Sequence, residues 1–121
     1  MLETEIRELL FSCGACAVGF AEIFDCIPSE LNSSMKYAVS FAYKMSDSVI
    51  FTIKQKPSIM YFQHYRAVNA KLDMMALDVT KYIETQGYNA FPIAASQSRN
   101  TKKETYSAVF PHKTAAVRGG I

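Results

Sequence analysis

The residues of this chain whose types and spacing could do chemistry fall in three places. Cys13-Gly-Ala-Cys16 has the spacing of a redox or metal-binding pair. A thioredoxin-type motif follows a strand and opens a helix, which places the reactive thiolate at the helix N-terminus. Here the surrounding pattern closes a helix and opens a strand. Zinc and iron–sulfur clusters normally take four protein ligands. Cys26 is the only further cysteine, and no histidine is near it in sequence. The spacing therefore reads as a pair of buried, inert cysteines, with a redox pair as the alternative.

His64 and His112 are the only histidines, and neither stands in an HExxH or Cys/His arrangement. His64 falls beside the apolar stripe of a long helical pattern and reads as a satisfied boundary histidine. His112-Lys113 opens a short helical pattern, where free backbone N–H groups favour an anion. A phosphate or carboxylate site and a plain solvated helix start both fit it. Asp73 and Asp78 are five residues apart on a helix, project in different directions, and make no acid–base pair. There is no Walker or Rossmann glycine loop and no GxSxG. By spacing alone these residues give no self-sufficient active site.

The elements that must position them are legible from periodicity. Residues 3–13 read as a helix, with Ile6, Leu9, Leu10 and Cys13 at helical spacing and Gly14 as its stop. Residues 15–21 read as a short buried strand. Residues 28–34 are a turn-rich connector. Residues 37–43 alternate, with Tyr37, Val39, Phe41 and Tyr43 on one face and Ala38, Ser40 and Ala42 on the other. That small face allows a helix to pack closely. Residues 49–53 suit either strand or helix by propensity. A long helix is expected over residues 58–86, with Tyr61, Tyr65, Val68, Leu72, Met75, Val79 and Tyr82 as its stripe and Gly87 as its end. At about 1.5 Å per residue it spans roughly 43 Å. A domain of this length is about 35 Å across, so the helix overhangs, bends or packs on a second copy. Residues 88–95 read as a third strand, at an edge because of Pro92. Residues 98–105 are polar loop, and 112–118 a final short helix closed by Gly119-Gly120. The expected fold is α+β: a small mixed sheet of about three to four strands, packed with one long and two or more short helices.

A chain of 121 residues is one domain, large enough to bury a core without disulfides. The net charge of +2 is too small to argue for nucleic acid, and only Arg99, Lys102 and Lys103 cluster. No apolar run reaches the eighteen or so residues of a membrane span. Glu3 and Glu5 stand where a secretory signal is basic, and three cysteines suggest no disulfide framework, so a cytoplasmic location is expected.

The order of motifs adds a resemblance. Gly14-Ala-Cys-Ala-Val-Gly-Phe-Ala21 resembles the "GADxVGFA" opening of the epoxyqueuosine reductase-like family of iron–sulfur, corrinoid-dependent reductases, and Tyr37-Ala-Val-Ser-Phe-Ala42 its second strand. Pro57-x3-Tyr61-x2-His64-Tyr65-Arg66-x2-Asn69-x2-Leu72-Asp73 resembles the helix of its less-studied members. Gly87-Tyr88-x-Ala90-x-Pro92-Ile93-x-Ala95-Ser96 resembles the strand and loop that follow. His112-Lys113-x-Ala115-Ala116 resembles the "HKxAA" leading into "GLGWIGKN". The resemblance favours helix for residues 49–53. It implies an oxidoreductase-like domain contributing one wall of a cobalamin cleft. Tyr65, Asn69, Ser96, Gln97, His112 and Lys113 are the implied cofactor-facing residues.

The departures from the family are as informative. The sequence ends at Gly119-Gly120-Ile121 and contains none of the family's cluster cysteines, so a truncated or partial domain without intrinsic catalysis is expected. Cys16 replaces the acid of "GAD". Tyr106 or Ser107 stands where the queuosine-forming branch has an aspartate proton donor, so epoxide reduction of a tRNA base is not implied. The alternative is a non-catalytic, self-associating structural or binding domain. Either way the expected partner is a second copy, as a homodimer, or a protein supplying the missing half.

Overall fold

The computed structural model describes residues 2–22, 35–52, 59–95 and 112–121. Two strands, β1 (Ala17–Glu22) and β2 (Tyr37–Ala42), pair antiparallel with Val18 opposite Phe41, Phe20 opposite Val39 and Gly19 opposite Ser40. Side chains alternate across a strand. This register therefore gathers Val18, Phe20, Val39 and Phe41 on one face, and Ala17, Gly19, Ala21, Ala38, Ser40 and Ala42 on the other.

The large face packs against two helices, α1 (Leu2–Ser12) and α3 (Ile59–Thr85). Ile6 and Leu10 of α1 meet Met75 and Val79 of α3 over Val18, with Phe20, Val39 and Phe41 packed around them. Leu10 and Met75 are almost completely buried, and each such side chain contributes about 1.5–3 kcal/mol when removed from water. Arg7 reinforces the same junction. Its guanidinium lies 5.1 Å from the centre of the Phe20 ring and donates to the Val18 carbonyl at 3.3 Å. At the far end of α1, the Tyr82 hydroxyl donates to Glu5 Oε1. That bond, aided by burial of part of the ring and by the charges of Glu5 and Glu8, holds the Tyr82 hydroxyl above its ordinary pKa.

The small face receives α4 (His112–Arg118). Here the contact is backbone on backbone. A Cβ added to Gly19 would lie on the carbonyl oxygen of Gly119 and 2.9 Å from its carbonyl carbon. Conversely, a Cβ on Gly119 would come within 3.0 Å of the Gly19 carbonyl carbon and the Phe20 nitrogen. Ala115, one turn earlier, is fully buried. Arg118 secures the end of the helix by donating to the Glu22 carbonyl at 3.3 Å.

Three helices end in the same way. After α1 the Gly14 and Ala15 amides donate to the Phe11 and Leu10 carbonyls, with Gly14 at φ 108°. This is the Schellman pattern, in which a left-handed residue lets the chain satisfy two terminal carbonyls. The same bonds recur after α3 at Gly87 and after α4 at Gly120. A short helix, α2 (Asp47–Thr52), packs on α3 and occupies most of the segment that propensity left open.

The architecture is thus mixed helix and strand, with four helices and a two-stranded antiparallel sheet among the described residues. The expected third strand over residues 88–95 is absent: that segment is irregular and joins no sheet. Within α3, Val68, Met75 and Val79 of the expected stripe are buried, whereas Tyr65 is 44 % exposed. The expected connector at 28–34 and polar loop at 98–105 lie outside the described residues.

Candidate functional site

A cleft of about 400 Å³ opens along β2. β2 contributes Tyr37 through Phe41, and α3 contributes a row of Leu72, Ala76, Thr80 and Ile83. These four recur at steps of four, four and three, so they share one face of the helix, adjacent to the buried one. The third wall is the segment after α3, through Ala90, Phe91, Pro92 and Ile93, and Ala116 of α4 closes one end.

The third wall explains why the cleft exists. The Schellman turn at Gly87 sends the chain back past α3. The segment then docks on α3 rather than on β2, through the Ala95 amide, which donates to Asp73 Oδ1 at 2.9 Å. Pro92 carries no N–H, so it cannot donate to a neighbouring strand. Small side chains at Ala76, Ala90 and Ala95 leave the space between the walls unfilled.

The lining is mainly apolar. Tyr37, Ser40, Thr80 and Asn89 supply its polar side chains among the described residues. The arrangement can enclose an apolar group and offer it a few hydrogen bonds, which is the ordinary make-up of a small-molecule site.

The residues singled out from sequence are placed as follows. Tyr65 and Asn69 lie on the same face of α3 as Leu72, two turns and one turn before it, but neither lines the cleft. Tyr65 instead stacks on Tyr61, with ring centres 6.2 Å apart. His112 and Lys113 form the first turn of α4, whose other end crosses β1. Ser96, Gln97, Cys26, Tyr106 and Ser107 lie outside the described residues. His64 accepts at Nε2 from the Ser46 amide at 2.9 Å, at the start of α2, as a satisfied boundary histidine should. The cysteines need a correction: Cys13 is half-buried against the core, but Cys16 is exposed. Cys16 stands one residue before β1, where its backbone amide bonds Ala42 and its side chain is left at the surface.

The sequence reading missed Leu72, Ala76 and Thr80 as cleft residues, and Asp73 as the anchor of the third wall. The available signal was the second row of α3, in which small and polar residues replace the large ones of the stripe. Among the described residues no three His, Cys, Asp or Glu side chains form a metal-binding group, and no helix is long and apolar enough to cross a membrane. Compared with known proteins, the chain matches no family model, no curated protein and no solved structure.

Proposed function

We propose that this chain is a ligand-binding unit that carries no catalysis of its own and uses the cleft beside β2. The supporting observation is the lining among the described residues: apolar walls from three elements and a few neutral polar groups. The resemblance to the epoxyqueuosine reductase-like family supplies the ligand class, a corrinoid. In that reading the chain is a partial domain of an iron–sulfur, corrinoid-dependent reductase-like protein. Tyr65, Asn69, Ser96, Gln97, His112 and Lys113 would extend the corrinoid wall beyond Leu72 and Ala76, further strands would complete a sheet of three or four, and a partner would bring the clusters.

Clefts for drug-sized ligands run from about 300 to 1,000 Å³, and a corrinoid with its side chains is larger than such a ligand. The described residues therefore make one wall of a corrinoid site rather than its enclosure, and no reaction step is assigned to them. Titration with cobalamin tests the reading through the visible spectrum. The expected result is a saturable shift that Ala76→Phe, which fills the cleft from α3, abolishes while the circular dichroism stays unchanged. A flat titration at high micromolar protein removes the corrinoid. Binding that survives Ala76→Phe removes the cleft as its site. A second reading, a self-associating structural domain, is favoured by apolar side chains left exposed on α3.

A further inference from the structure

Beyond its core and cleft rows, α3 carries a third row. Met60, Gln63, Ala67, Ala70, Met74 and Leu77 follow one another at steps of three, four, three, four and three. All six are exposed, and Met60, Met74 and Leu77 are each more than half exposed. A repeat of 3.5 residues is the seam of a left-handed coiled coil. The row lies on the side of α3 opposite Val68, Met75 and Val79, so the core does not use it. The alanines at its centre permit close approach of a second helix, and the larger side chains lie toward its ends. Lys81 and Glu84 continue the spacing and end the apolar run.

We infer that this row is the contact surface for a second copy of the chain, with the two α3 helices antiparallel. The flanking charges select both the occupant and its direction. In an antiparallel pair centred between Ala67 and Ala70, Arg66 falls beside Asp73 of the partner subunit, and symmetry makes the pair twice. In a parallel pair, Arg66 would face Lys71 of the partner subunit and Asp73 would face Asp78 of the partner subunit, two like-charge contacts that oppose association. Asp73 gives Oδ1 to the Ala95 amide, which leaves Oδ2 for an arginine. On the other flank of the antiparallel pair, Lys71 approaches His64 of the partner subunit. His64 Nε2 is already engaged there by the Ser46 amide.

Sedimentation equilibrium of the full chain, from about 1 µM to about 1 mM, reads dissociation constants across that range. The expected result is a reversible dimer. Met74→Lys, at an exposed position, is expected to weaken it about tenfold or more with unchanged circular dichroism, because the substitution enters the seam twice. Arg66→Glu is expected to weaken it about tenfold by setting two acids together, with unchanged circular dichroism. A monomer throughout overturns the inference. So does a dimer indifferent to Met74→Lys or to Arg66→Glu.

Discussion

The two faces of the β1–β2 pair are covered by opposite means. On the large face, side chains from both strands meet side chains from α1 and α3, and the contact is filled by Leu10, Met75 and their neighbours. On the small face, α4 lies so close that Gly119 touches Gly19 through the main chain. The first kind of packing can adjust, since side chains change rotamer and neighbours shift to fill a gap. The second has nothing to adjust except the backbone itself. Tolerance to substitution should therefore differ across a sheet only two strands wide.

The largest effect is expected on the adjustable face when volume is removed outright. Met75→Ala should cost about 2–5 kcal/mol in chemical denaturation, the range for emptying a core site, whereas the volume-conserving Met75→Leu should cost under about 1.5 kcal/mol. Next comes Gly19→Ala, which adds one methyl to the small face and should cost about 1–3 kcal/mol through overpacking, with α4 losing protection from amide exchange first. A neutral Gly19→Ala would break the comparison.

The smallest effect sharpens the comparison at its rim, where Tyr82 reaches Glu5. The hydroxyl has its pKa raised in the fold, first by that hydrogen bond. Its contribution is therefore complete below the unfolded value of about 10 and is lost as pH rises through the folded value. Tyr82→Phe should melt slightly below the parent at neutral pH, and the gap should close above pH 10. A gap that stays constant through that range would show the bond to be idle.

Much of this architecture was legible from residue types. The glycines at 14, 87 and 120 mark helix ends because few other residues accept their dihedrals. The alternation of large and small side chains over residues 37–43 announced both faces of the sheet, including the one that admits a close helix. Residues 88–95 were misread for a physical reason. Their apolar pattern records which side chains avoid water, not which amides find partners, and the Ala95 amide found Asp73. The candidate site was less legible still. A cleft is defined by side chains that are too small, and Ala76 or Ala90 carries no local mark of what it fails to fill. Tyr65 and Asn69 share a face of α3 with Leu72 and Ala76 but stand two turns and one turn before Leu72, outside the cleft lining.

The meeting of Gly19 with Gly119 joins positions about a hundred residues apart, and long separations make contacts slow to close. In a chain emerging from a ribosome, β1 and β2 can find each other early. Their glycine-and-alanine side must then wait, wet and unshielded, until the residues of α4 have been made. Any chaperone dependence of this face would thus be a matter of timing, confined to the interval before α4 arrives.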